Sequence, residues 1–209
     1  MRLSTSSFEE GGVIPSRYAF AKADRDTHVV FSENVNPALF WEDVPDGTKS
    51  FALICHDPDV PSVGDDVNQE DREVPADLAR IDFFHWVLVD LPDDLRAIAE
   101  AEFADGVVVG GKRASDGPHG TKQGLNDFTG WFAQDPDMKG SYYGYDGPAP
   151  PWNDSIVHHY VFTLFALNVS SLLVFGDFRG HDVRKEIKRR ALAEASVTGI
   201  YTQNPRLLG

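Results

Sequence analysis

Three stretches of the chain are apolar enough to be core strands: 50–56 (SFALICH), 83–91 (FFHWVLVDL) and 157–167 (VHHYVFTLFAL). Each is rich in β-branched and aromatic residues and bounded by Pro, Asp or Asn, the pattern of a strand between turns. In the third run both alternating faces are apolar, which predicts a strand buried on both sides and central to its sheet. Shorter runs at 18–21, 29–31, 107–109 and 172–174 predict weaker strands. Between them lie Gly/Pro/Asp-rich segments at 57–82, 110–130 and 133–156. Loops of that length are uncommon in a compact domain and are often functional. Helical spacing comes late: in DVRKEIKRRALAEAS (182–196), Val183, Ile187, Ala191 and Ala195 recur every four residues, with Asp182 placed to cap the helix. A shorter helix is expected at 93–102. Many strands followed by few helices predict a mainly β, antiparallel fold with peripheral and C-terminal helices. No repeat or linker divides the chain, so one domain over 1–209 is expected.

Composition narrows the function classes. The chain of 209 residues has a formal net charge of −14, which argues against nucleic acid or an anionic membrane surface as the main partner. The one basic cluster, 184–190, falls in the expected helix and reads as its solvated face. A single cysteine, Cys55, sits in an apolar run; it permits no internal disulfide and reads as a small core residue. No stretch approaches the roughly 20 apolar residues of a membrane helix, and the first 20 residues have no secretory apolar region, so a cytoplasmic protein is expected.

Several chemistries can be set aside. Gly106 to Lys112 fits the letters of a phosphate-binding loop, but Arg113 stands where the magnesium-binding hydroxyl should be and the intervening valines crowd the backbone. The histidines lack the spacing of a metal site, and there is no nucleophile elbow for a serine hydrolase. No cofactor is expected. A more specific pattern lies at the strand ends. Asp57 closes one core strand, His85 lies near the start of the next, and His158 and Tyr160 share a face of the third. Were these strands neighbours, the four side chains would meet at one end of a sheet. Imidazoles kept charged by a carboxylate, with a phenol beside them, suit a phosphate monoester or a carboxylate. The stiff segments SDGPHG and YDGPAPPW let backbone approach a ligand closely, and their Xaa–Pro bonds, like Val60–Pro61, are candidates for cis geometry.

In order, DPDVPS, FFHWVLVDLP, GYDGPAPP and HHYVFTLFAL resemble the phosphatidylethanolamine-binding protein family, and more closely its bacterial, Raf-kinase-inhibitor-like branch. GLNDFTGW and ALAEASVTGIY resemble that branch as well, so the likeness spans about residues 25–203. The resemblance implies two antiparallel sheets with a C-terminal helix, a pocket for a phosphate-like group, and cis peptides beside it. Carried over residue by residue, it places Asp57, Asp59, Pro61, His85, Gly147, Pro150, Pro151, His158 and Tyr160 at that pocket. Two departures stand out: the acidic insert at 63–82, expected to cover the pocket or form a contact surface, and WNDSIV after the two prolines. The expected function is binding of a small anion without catalysis, with a kinase or protease as the kind of protein partner the family suggests. The alternative is a hydrolase using the same Asp/His pocket. Homodimerisation is left open.

Overall fold

The computed structural model describes residues 1–208; only Gly209, at the end of the expected domain, lies outside them. Ten strands and two helices follow one another as β1 (Arg2–Ser4), β2 (Ala21–Asp24), β3 (His28–Phe31), β4 (Leu39–Glu42), β5 (Ser50–Pro61), β6 (Arg80–Pro92), β7 (Ala97–Ile98), β8 (Lys122–Gln123), α1 (Phe128–Trp131), β9 (His158–Leu167), α2 (Gly180–Ile187) and β10 (Ala191–Tyr201). They form a five-stranded sheet in the order β10-β9-β5-β6-β8, a three-stranded sheet β1-β4-β7 and a two-stranded ribbon β2-β3. All strand pairs are antiparallel, so the mainly β, antiparallel expectation holds, with the ribbon added to two larger sheets. No helix among the described residues is long and apolar enough to cross a membrane.

The three strongest apolar runs become β5, β6 and β9, side by side, as their two-sided burial requires. One face of this sheet carries Phe51, Leu53, Cys55, Trp86, Leu88, Phe162 and Leu164 into the main core. The other carries Ala52, Ile54, Phe84, Val87 and Val89 against α2, where Val183 and Ile187 are buried. Cys55 is buried and unpaired, an ordinary core residue.

Two irregularities in the β5–β6 ladder shape the site. Cys55 pairs with Trp86 but His56 pairs with Phe84, so β6 holds one extra residue, His85. A bulge of this kind places two successive side chains on one side of the sheet: Trp86 faces the main core, Phe84 faces α2, and His85 joins Trp86 on the core side. Further along, Asp57 pairs with Phe83 and Val60 with Ile81, so residues 58–59 of β5 stand opposite Asp82 alone and β5 holds one extra residue. Pro58 lacks an N–H to give a ladder, so a bulge is a place where it can stand.

Several sequence expectations are corrected. The helix of 182–196 is α2 over Gly180–Ile187 followed by strand β10, which pairs along β9 from Ala191↔Leu167 to Tyr201↔His158. A spacing of four suits one helical turn and equally two strand repeats, and the alternation continuing through Val197, Gly199 and Tyr201 decides for the strand. Arg179, not Asp182, precedes the helix; the Asp182 carboxylate reaches back to accept from the Arg179 N–H at 2.9 Å. The helix of 93–102 is instead a turn, closed by Leu95 N–H to the Pro92 carbonyl, and β7, whose Ile98 pairs with Leu39. Residues 107–109 are no strand: they lead into a turn through Gly110 and Gly111 (φ 76° and 79°), with Val108 and Val109 exposed. Residues 172–174 are also irregular, with the Leu172 N–H on the Asp90 carboxylate at 3.0 Å. At 18–21, a 3-10 turn over Ser16–Tyr18 precedes β2. The loop expected over 57–82 shrinks to 62–79 because both flanking strands run on. Among the described residues no peptide bond is cis, Val60–Pro61 included.

Candidate functional site

The bulged ends of β5 and β6 and the first residues of β9 meet at one end of the large sheet. Asp57 is 1% exposed. Its Oδ1 accepts the N–H of Asp59 (2.8 Å), and its Oδ2 pairs with His158 Nδ1 (2.7 Å). The other nitrogen of His158, Nε2, meets Asp154 Oδ2 at 3.1 Å. Asp154 in turn holds Arg80 through two bonds of 2.6 and 3.0 Å. Burial works against a charge on His158, but hydrogen bonds and the charges of Asp154 and Asp57 outweigh it and push its pKa up to about 9. The cluster is therefore a chain of alternating charge, Asp57–His158–Asp154–Arg80, with each ionic head paired as burial demands.

His85 is in a different state. The bulge turns it under the sheet, where Nδ1 meets the Asp146 carbonyl at 2.8 Å. A carbonyl can only accept, so Nδ1 carries the proton. Nε2 has no partner among the described residues. Burial pulls the His85 pKa below its usual value despite the raising influence of Asp57. Neutral His85 thus offers a lone pair at Nε2, and a bound acid or anion would meet either that lone pair or an imidazolium. Asp146 is itself fixed by Asn34, Asn126 and Lys112, all at 2.8 Å. That is the role of the lysine in the discarded phosphate-loop match.

Tyr160 lies beneath His85, with ring centroids 5.1 Å apart. Burial first, then the neighbouring Asp57 charge, raise its pKa well above the usual phenol value, so the hydroxyl keeps its proton. That hydroxyl is buried and has no well-formed hydrogen bond. Above these groups is a cavity of about 440 Å³. Phe20, Phe83, Phe128 and Phe132 wall it; Phe20 stacks on Phe128 at 4.6 Å and Phe128 on Phe132 at 5.6 Å. Phe31, Val63, Ile81 and Trp131 stand exposed at its rim. No lysine or arginine lines it among the described residues, and Asp57 is its single carboxylate.

A family model described as "Phosphatidylethanolamine-binding protein" matches residues 4–202. The chain belongs to the phosphatidylethanolamine-binding protein family. It is 30% identical to UPF0098 protein YbhB of Escherichia coli over 97% of this chain and all of that protein. A UPF0098 protein of Aquifex aeolicus is 32% identical over 98% of this chain and 90% of its own length. The crystal structure of E. coli YbcL, described as a member of the mammalian family, superposes with a TM-score of 0.68 at 25% identity, covering 96% of this chain and 97% of that one.

Within this family fold, the residues expected at the pocket divide. Asp57, Pro61, His85, Pro150, Pro151 and Tyr160 line the cavity. His158 lies below it, wholly buried, with both nitrogens on carboxylates. Asp59 points to the outer side and binds His159 at 2.8 Å. Gly147 is a packing residue: a β-carbon there would overlap the Tyr18 carbonyl oxygen, and its N–H donates to Asn34 at 2.9 Å. The acidic insert supplies part of the wall through Val63, Gly64, Val67 and Asn68. It is fastened by Asn153, whose Nδ2 reaches the carbonyls of Asp66, Gln69 and Arg72 while its Oδ1 takes the Asn68 N–H.

Sequence reasoning missed Asp154, Arg80, Gln203 and the aromatic wall. Asp154 had a signal, standing four residues before His158. Phe128 and Phe132 had one in their helical spacing. Arg80 and Gln203 had none.

Proposed function

We propose that the cavity binds a small organic anion, its charged head on the floor formed by His85 and Tyr160 and its apolar body against the phenylalanine wall, without turnover. The observation that carries this reading is the meeting of polar atoms with an apolar wall: among the described residues His85 Nε2 has no hydrogen-bond partner and the Tyr160 hydroxyl has only a loose contact with Asp57, while the surroundings are aromatic. With no lysine or arginine in the lining, affinity rests on hydrogen bonds and apolar contact. An ion with an aryl or alkyl body is therefore favoured over free phosphate. Binding is favoured over hydrolysis because Asp57, the candidate base or nucleophile, already spends both oxygens on Asp59 and His158. Regulation of a kinase or protease adds a surface partner to this reading and has no residue in the cavity to carry it.

Calorimetric titration with phenyl phosphate, alongside inorganic phosphate and phosphoethanolamine, tests the proposal. Saturable binding strongest for phenyl phosphate is expected. His85→Ala should weaken it by about 10- to 100-fold, the worth of a hydrogen bond to a charged group. Absence of saturable binding for all three would sink the reading, and steady release of phosphate from the esters would replace it with the hydrolase.

A further inference from the structure

The chain beyond β10 contributes a polar group that neither the motifs nor the family resemblance points to. The polar side chains that flank Gln203 in the chain are engaged. The Tyr201 hydroxyl donates to the Ala21 carbonyl at 3.1 Å, Asn204 Nδ2 donates to the Asp154 carbonyl at 2.7 Å, and Thr202 Oγ1 accepts the Asn204 N–H at 3.1 Å. These bonds fix the backbone on both sides of Gln203. Its own side chain lines the cavity, is 2% exposed, and makes no hydrogen bond among the described residues; Nε2 is shut off from solvent without a partner.

An amide buried in this way is costly, because it has lost water and gained nothing. The Gln203 amide shares its cavity with the Tyr160 hydroxyl, which has only a loose contact with Asp57. The ionic heads of Asp57, His158, Asp154 and Arg80 are paired with one another, with Arg80 Nε left over. We propose that Gln203 is a head-group contact: on binding, its side chain turns so that the amide donates to one oxygen of the bound anion, while the Tyr160 hydroxyl turns to donate to another. This rests on the proposed binding function and sharpens the ligand class. Two neutral donors plus His85 select a head with at least two acceptor oxygens, such as a phosphate ester or a carboxylate. A neutral body of the same size would leave these donors unpaired.

The test is Gln203→Leu, with Gln203→Met as a second variant that keeps the length and flexibility of the side chain. Two readouts are combined: the Tm without ligand, and the Kd for phenyl phosphate. Removing an unpaired buried amide should leave the Tm unchanged or raise it, while the Kd weakens by about 5- to 20-fold. A structural role gives the opposite pair, a lowered Tm and an unchanged Kd, and overturns the assignment. Wild-type protein that binds while both variants bind equally well overturns it too. Wild-type protein that binds none of phenyl phosphate, inorganic phosphate and phosphoethanolamine overturns the proposed function itself and Gln203 with it, so the two failures are distinguishable.

Discussion

His85 and His158 are both buried, yet they hold different charges. His158 has a carboxylate on each nitrogen and titrates near 9; His85 has a carbonyl on one nitrogen and lines the cavity, and titrates below its usual range. The sign of each pH effect follows. The folded-state pKa of His158 lies above its unfolded value of about 6.5, so its contribution is complete below that value and disappears as pH rises through about 9. Urea unfolding should therefore show stability falling between about pH 7 and 10, by about 3 kcal/mol in all. His158→Gln should flatten that slope. His158→Ala, which leaves Asp57 and Asp154 facing each other unpaired, should cost about 3–5 kcal/mol at neutral pH. Asp154 is lowered, since its bonds to His158 and Arg80 outweigh its burial, so its share is lost on the acid side. His85 is the group through which the ligand meets pH. Its NMR titration should lie below about 6.5 in the free protein and move upward when phenyl phosphate is bound. A His85 resonance that ignores the ligand counts against the floor as a head-group site.

At the scale of the element, the wall formed by loop 62–79 hangs on Asn153. The segment has few apolar anchors; one amide reaches three of its carbonyls, and further bonds run from Val74 N–H to the Asn153 carbonyl (3.1 Å), Ser62 N–H to the Ala79 carbonyl (2.9 Å), Ser155 Oγ to the Val74 carbonyl (2.6 Å), Trp152 N–H to Asn68 Oδ1 (3.1 Å) and Arg80 to the Pro75 carbonyl (2.8 Å). Asn153→Ala should release it, giving fast proteolytic nicking and amide exchange confined to 62–79 with a stability loss of about 1–3 kcal/mol. Protection unchanged in that segment would show that Asn153 is not its fastener. The same scale explains which elements could be read in advance. β5, β6 and β9 were legible because their burial writes apolar residues on both faces. The end of α2 was not, because Ile187, Ala191 and Ala195 fit helix and strand alike, and the choice was made by pairing with β9. His85 was expected at the pocket, but strict alternation past Trp86 would have aimed it at α2; only the bulge turns it the other way. His158 was expected as a ligand contact because strand position shows the face of a residue and not what already occupies its nitrogens.

For the whole molecule, the net charge of −14 opposes the proposed ligand. Long-range repulsion slows the approach of an anion and is screened by salt. The association rate of phenyl phosphate should therefore rise between about 10 and 150 mM salt, opposite to a site that attracts its ligand through surface lysines. A rate that falls with salt would mean that a positive patch governs entry. The distribution of charge also separates two tasks. Repulsion and solubility belong to the surface, while recognition is left to neutral donors and aromatic rings inside the cavity. The antiparallel β architecture could be read from strand density alone, because it follows from how apolar residues are spread. The cavity could not, because its wall is drawn from β2, β3, α1, the 62–79 loop and the chain after β10, which come together only in the folded sheet.

The extra residue of β6 has a consequence for how such a site can arise. With His85 removed, Phe84 and Trp86 become consecutive and alternate correctly, one toward α2 and the other into the main core, and every residue beyond them stays in phase with β5. A deletion of one codon would thus erase the histidine and leave the remainder of the strand in register. A lineage could gain or lose this floor of the cavity through a single in-frame insertion or deletion, without passing through a series of destabilised substitutions.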